Sequence, residues 1–523
     1  MTKHSYVTTT IPYVNAPPHI GFALELVQAD VIARYKRLLG ETVRLQTGTD
    51  ENAFKNVLSA EARGVPVQQL VDENSRRFRE LADALEVSVD HFQRTTDFAH
   101  RRAVDAFLAR LQPGDVYTAD YRGWYCTGCE DFYLEADAID GRCPEHDLAL
   151  VEIAEHNWFF RLSAYQSQLH DLIASRRIHI VPEAREREVL SFIARGLSDI
   201  SISRDAARSG GWGIPYPGDP AQVVYVWIDA LVNYLTGLAF PEPGDVERFW
   251  NDAATCHVIG KNVWKFHAVY WPALLLSAGL PVPDQIVVHG FLTSEGKKIS
   301  KSSGVAPDPI EYIDALGVDA VRYFLLRHVR PFDDSDFSRA RLEAAYDADL
   351  AHGIGNLTSR LTALCESANL SGANGVVVPS APPGYHEALA SFRFDLAIAT
   401  LWEEIARLNR DIGVLRPWEH VRQGRIAEAC AALEPLAARL RCVAYWLSPF
   451  LPLAAEQIRS ALSATTVGRA APLFPSRQGD GQRKCLFAAP RARLTHPSAP
   501  GEQDRLWPAH APRLPSTAHS DSS

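Results

Sequence analysis

His19 and Gly21, in PPHIGFALE (residues 17–25), stand where a helix begins just after a short β-branched run. A helix N-terminus presents unpaired N–H groups and the positive end of a dipole, which suits phosphate. Gly21 lets a nucleotide approach the backbone, and His19 can donate to a phosphoryl oxygen. Far along the chain, GKKISKSSG (296–304) is a glycine-bounded loop carrying Lys297, Lys298 and Lys301 among hydroxyls. Mobile lysines there can follow charge onto the β- and γ-phosphates as pyrophosphate leaves. Taken singly, the fragments read as a loop histidine and a solvated basic turn. Paired across one parallel-sheet domain, they read as a nucleotide site.

Cys126, Cys129, Cys143 and His146 have the spacing Cys-x₂-Cys-x₁₃-Cys-x₂-His. Four such ligands in two knuckles fit tetrahedral structural zinc with no open position, and Gly141 permits the tight turn before the second pair. Free buried thiols are the alternative. Cys256, Cys365, Cys430, Cys442 and Cys485 are scattered and read as small hydrophobes. Asn356 and Arg360, four apart, share one helix face, and Trp418 opens a further helix.

The elements that must hold these residues alternate. YVTTTIP reads as a strand, Gly21 to Leu39 as a helix ended by Gly40, and TVRLQTG as a second strand. A strand–helix–strand unit implies a parallel sheet with its ligand beyond the strand ends. AQVVYVWIDA and DQIVVHGFL read as strands, with KFHAVYWPALLLSAG as a helix between them. Residues 115–160 are short and turn-rich, as an insertion would be. From about 337 to 465 amphipathic helices replace strands, as in a bundle. After Val467 there is no Val or Ile, and the tail is expected to be disordered.

The chain has 523 residues, which suggests three or four domains, and its net charge of −10 gives no global argument for nucleic acid. No run of about 18 apolar residues predicts a membrane span, and the first residues lack a signal or transit pattern, so the cytoplasm is expected.

TIPYVNAPPHIG, LQTGTDEN, NWFFRLSAY, ISISRD, YVWIDALVNYL, VIGKNVWKFHAVYWPA, VHGFL, GKKISKS and GVDAVRYFLL together resemble a class I aminoacyl-tRNA synthetase, and within that class the methionyl-tRNA synthetases. The resemblance runs from about residue 4 to 475. It implies an α/β fold: a Rossmann-like parallel-sheet catalytic domain (1–114 and 223–336) split by a connective insertion with a zinc knuckle (115–222). A helical anticodon-binding bundle (337–466) and a tail (467–523) follow. It implies ATP-dependent ligation of methionine to methionine tRNA through methionyl-adenylate, with Mg²⁺ accompanying ATP, Zn²⁺ in the knuckle, and a monomer.

Residue by residue, the resemblance implies catalytic roles for His19, Lys298 and Lys301. Pro18, Gly21, Phe22, Gly260, Asn262 and Ser300 join them around ATP. Asp50 holds the substrate ammonium. Ile11, Tyr13, Trp227, Ala230, Tyr234, Val263, His267 and Trp271 surround its side chain, an aromatic wall suited to a thioether. Asn356, Arg360 and Trp418 read the CAU anticodon, with Trp418 stacking an unpaired base.

Four residues depart from the family pattern. Phe22 replaces the second His of His-x-Gly-His, Asn52 the His after TGTDE, and Asn262 the Asp of GKD; all three are expected near the nucleotide. Losing one transition-state donor at Phe22 costs about 2.7–4 kcal/mol, or 10²–10³ in rate. Ile299 replaces the Met of Lys-Met-Ser-Lys-Ser and conserves volume, in a chain whose one Met is Met1. Two other functions are weighed against ligation. One is an adenylate-forming paralogue acting on a methionine analogue or a non-tRNA acceptor; the other is a catalytically weak tRNA-binding paralogue. Intact Asp50, Lys298, Lys301 and bundle residues favour the ligase.

Overall fold

The computed structural model describes residues 3–126, 131–133, 141–143, 149–294, 297–299, 307–372 and 379–475. Its centre is a six-stranded, wholly parallel sheet. β1 (His4–Thr9) lies between β2 (Thr42–Thr49) and the strand Ala253–Gly260. Outside β2 runs β3 (His91–Arg94); outside Ala253–Gly260 run Gln285–His289 and then His179–Val181. The helix α1 (Ile20–Leu38) returns the chain from β1 to β2, and its first two turns and more are buried. Chain direction around the sheet reverses between β1 and Ala253–Gly260, so a crevice opens beyond their carboxyl ends.

Three readings from sequence change here. Ala253–Gly260, central to the sheet, was not among the expected strands. In AQVVYVWIDA only the first four residues are extended, as the end of the strand Asp219–Val224 in a small antiparallel sheet, and the rest enters the helix Val226–Thr236. His179–Val181, inside the segment assigned to the insertion, completes the edge of the catalytic sheet by pairing with Gln285–Val287.

The insertion is built on a long antiparallel ladder, Val116–Cys126 against Val151–Phe160. Gly141 has φ +71°, the left-handed turn its position called for. Beyond the sheet, the helices Phe394–Leu415, Ile426–Leu447 and Pro452–Ser463 pack as a bundle. Phe394, Ala397, Ile398, Leu401, Ile405, Leu408 and Ile412 form the buried stripe of the first, at the spacing an amphipathic helix requires. The helical stretch 339–367 kinks at Gly353 (φ −83°, ψ −106°), just before Asn356.

Residues 467–475, expected to lack structure, cover the bundle instead. Val467, Leu473 and Phe474 are buried, the Val467 N–H donates to the Leu370 carbonyl (2.9 Å), and Tyr346 Oη donates to the Pro475 carbonyl (2.8 Å). Three isolated apolar residues are enough to cap a preformed face, though they carry no periodic signal. Residues from 476 on, the rest of the expected tail, lie outside the described residues. No helix among those described is long and apolar enough to cross a membrane.

Candidate active site and bundle surface

His19 is the N-cap of α1 in extended backbone (φ −124°, ψ 171°), and its Nδ1 accepts the Gly21 N–H at 3.1 Å. With Nδ1 used as an acceptor, a neutral imidazole keeps its proton on Nε2, the tautomer a phosphate donor needs. Gly21 is required for this fold-back. A Cβ there would stand 2.9 Å from His19 Cε1. The α1 N-terminus is further tied to the chain just after the lysine loop, through Ile20 N–H to the Pro307 carbonyl (3.3 Å).

Phe22 points elsewhere. It is 8% exposed and meets Phe78, on the helix Val67–Ala84, edge to face at 5.1 Å. Asn52 is also held by protein partners. Its Nδ2 donates to the Thr95 carbonyl and to Asp229 Oδ2, both at 3.1 Å, at a cleft it lines with Phe54, Tyr125, Arg208 and Trp212. Of the three expected neighbours of ATP, Asn262 alone stands exposed beside Gly260, at the end of the strand Ala253–Gly260.

Asp50 follows β2 and is buried. Its N–H donates to the Pro12 carbonyl (3.0 Å), and an isolated bridge pairs it with Tyr13, in the segment that follows β1. Glu51 locks this turn: Arg94 holds its carboxylate with two nitrogens at 2.8 and 2.9 Å, and Thr96 and Thr49 also donate to it. Tyr13 meets Trp227 edge-on at 6.0 Å, and Trp227 stacks on Phe266 at 3.8 Å and 6°. Ala230 and Tyr234 follow on the same helix, at the spacing that shares its face.

His267 Nδ1–H donates to the Val263 carbonyl at 3.0 Å, leaving Nε2 to accept the Tyr234 hydroxyl at 2.7 Å. Burial pushes the His267 pKa down to about 4, so the ring is neutral and this tautomer is fixed. Both protons are thus committed to protein partners. Neither residue is left with one to offer a substrate sulfur. Trp271 is fully buried behind Tyr234 (6.3 Å between rings) and packs on Phe107. Ile11, half-buried, continues β1 toward this cluster.

Two residues of the crevice escaped the sequence reading. Glu25, one turn into α1, accepts from Thr10 N–H (2.7 Å) and Thr10 Oγ1 (2.5 Å), while its other oxygen pairs with His289 Nε2 at 2.9 Å. They clamp α1 to the ends of β1 and Gln285–His289. A carboxylate buried in an apolar helix face was the available signal.

Lys298 sits on a two-residue strand opposite Thr293, and Ile299 is buried in the core, consistent with its volume match to Met. The Lys298 side chain, Ser300 and Lys301 lie outside the described residues. Cys126 and Cys143 are both buried in one small cluster with Leu150 and Trp124. Cys129 and His146 lie outside the described residues, and among the described ones no group of three metal-binding side chains forms. In the bundle, the Arg360 guanidinium lies 5.4 Å over the Trp418 ring, and Asn356 is exposed at the start of the Arg360 helix.

The family described as tRNA synthetases class I (M) matches residues 5–151 and 149–362. A methionine–tRNA ligase of Nostoc sp. is 40% identical over 470 residues, covering 85% of this chain and 87% of that protein. One of Mycobacterium bovis is 37% identical over 540 residues, covering 98% and 99%. Among solved structures, a Mycobacterium tuberculosis methionyl-tRNA synthetase in complex with methionyl-adenylate superposes with a TM-score of 0.82 at 36% identity, covering 91% of this chain and 99% of that one. These full-length matches favour a ligase over an enzyme with a non-tRNA acceptor. With its parallel sheet, crevice and helical C-terminal region, the chain belongs to the methionyl-tRNA synthetases, class I enzymes that ligate methionine to tRNA.

Proposed function

We propose that both half-reactions occur in the crevice between β1 and Ala253–Gly260, with the residue roles expected from the sequence. The observation that supports this reading is that Tyr13 pairs with Asp50 past the ends of β1 and β2 and meets Trp227, on the helix whose Tyr234 bonds His267, while His19 caps the helix that follows β1. Asp50 takes the methionine ammonium, and the aromatic cluster with Ile11, Ala230, Val263 and Trp271 takes the thioether. A methionine carboxylate oxygen attacks the α-phosphorus of ATP, brought in with Mg²⁺, as the bond to pyrophosphate breaks. His19 donates from Nε2 to the phosphates, and Lys298 and Lys301 hold the leaving pyrophosphate. Pro18, Gly21, Gly260, Asn262 and Ser300 line the nucleotide; Phe22 contributes by packing. The terminal ribose hydroxyl of tRNA then attacks the adenylate carbonyl, and AMP leaves. Positioning and preorganised charge supply most of the acceleration.

Asn356, Arg360 and Trp418 take the CAU anticodon, supported by the Arg360–Trp418 stack. Cys126, Cys129, Cys143 and His146 hold a structural zinc, a reading supported by the joint burial of Cys126 and Cys143. The enzyme works as a cytoplasmic monomer. Methionine-dependent pyrophosphate exchange followed by charging of methionine tRNA tests the whole reading. Lys301→Ala should collapse exchange and leave tRNA binding near its original strength; equal loss of both would assign the lysine a structural role.

A further inference from the structure

Arg322, on the helix Val318–Arg327, is wholly buried and makes four links. Its Nη2 lies 2.7 Å from Asp30, a buried carboxylate of α1. Nη1 donates to the Leu85 carbonyl (3.0 Å), Nε to that of Phe450 (2.8 Å), and Nη2 also to that of Pro449 (2.9 Å). Pro449 and Phe450 form the turn between the bundle helices Ile426–Leu447 and Pro452–Ser463. One guanidinium therefore joins the helix that carries His19 to the corner of the bundle. Asp319, one turn earlier, adds a second link by accepting the Ala454 N–H at 2.6 Å.

The far side of this joint leads to the anticodon face. The short helix Pro417–Arg422, bearing Trp418, packs on Ile426–Leu447, whose C-terminal end leads into the turn at Pro449. On the near side, Asp30 is held by Ser88 and Arg34 as well as by Arg322. A buried ion pair is no more stabilising than a well-packed apolar pair of the same volume, but it has a single satisfied arrangement. Such a joint transmits displacement between rigid elements where an apolar contact would slide.

We propose that Arg322 is a positioning residue that couples occupation of the bundle to the placement of α1, and through it of His19. This rests on the bundle holding the anticodon. The test compares the wild type with the double variant Asp30→Leu, Arg322→Met, which removes both charges together, and with Arg322→Lys, which keeps the charge but loses the fork. Each is measured for thermal melting, pyrophosphate exchange without tRNA, and kcat and KM for charging full-length methionine tRNA and an acceptor-stem minihelix.

Folded variants should retain exchange within about threefold and full-length KM within about threefold. The kcat advantage of full-length tRNA over the minihelix should fall at least tenfold. An unchanged advantage in a folded variant overturns the coupling, as does failure of both variants to fold, which would make the joint purely structural. Trp418→Ala serves as the control for the underlying reading. If it leaves full-length charging unchanged, the anticodon assignment fails independently of Arg322.

Discussion

Replacing Phe22 by His restores the family signature, yet the structure argues against a restored rate. The Phe22 ring is 8% exposed and edge-on to Phe78 at 5.1 Å, within the core beneath α1. Losing that aromatic pair costs roughly 0.5–1.5 kcal/mol. Burying an imidazole there without a partner adds roughly 1–3 kcal/mol. An imidazole that swings out to the phosphates escapes the second cost but vacates the space beside Phe78, at a cost of the same order. The rate gain from one new donor is bounded at about 10²–10³, and most of it is offset by this repacking. Phe22→His should therefore lower Tm by several degrees and raise methionine-dependent pyrophosphate exchange by less than tenfold. A hundredfold rise at unchanged Tm would refute the reasoning, because it would mean that position 22 faces the nucleotide at no cost to the core.

Acid should weaken the fold through buried imidazoles, His267 and His100 among them. Burial holds His267 at about 4 and His100 at about 3, against 6.5 in the unfolded chain. Their contribution is whole above pH 6.5 and is lost as pH falls toward those values, on the order of 3 kcal/mol for His267 and about 5 kcal/mol for His100; denaturant melts from pH 7.5 to 5 should show the start of the decline, and His100→Gln should flatten part of it. Trp418→Ala should reduce charging by about 1–3 kcal/mol in kcat/KM and spare pyrophosphate exchange, which kinetics on tRNA and on exchange will separate. Metal analysis should find one zinc per chain, lost in the Cys126→Ser, Cys129→Ser double variant; a metal-free, fully active wild type would sink that assignment.

The first strand–helix–strand unit was legible because its periodicities are clean and Gly40 punctuates it. The centre of the sheet was not. AATCHVIG, the strand Ala253–Gly260, is buried on both faces, so alternation disappears, and its Ala, Cys and His are weak strand formers. VWIDALVNYL misled for the converse reason: a helix buried nearly all round carries no polar stripe and looks like a β-branched run. His179–Val181 is too short to show any period. Motif residues such as Asp50 and Tyr234 were found from the resemblance, which supplies identity but not direction. It gave no sign that Phe22 packs on Phe78 in the core or that Asn52 bonds Asp229. Arg322 and Asp30 are 292 positions apart, and nothing in either neighbourhood announces the other.

The committed protons of Tyr234 and His267 bear on which amino acids the enzyme admits. Because neither Tyr234 nor His267 has a proton to give the tail of the substrate, what their rings add for the thioether over a methylene of similar size is sulfur–aromatic contact, about 0.3–1.5 kcal/mol. That is at most about a tenfold preference. A linear hydrocarbon analogue of methionine should therefore pass these two rings at little cost. If the proposed pocket holds, fidelity toward such an analogue depends on the cell keeping it scarce.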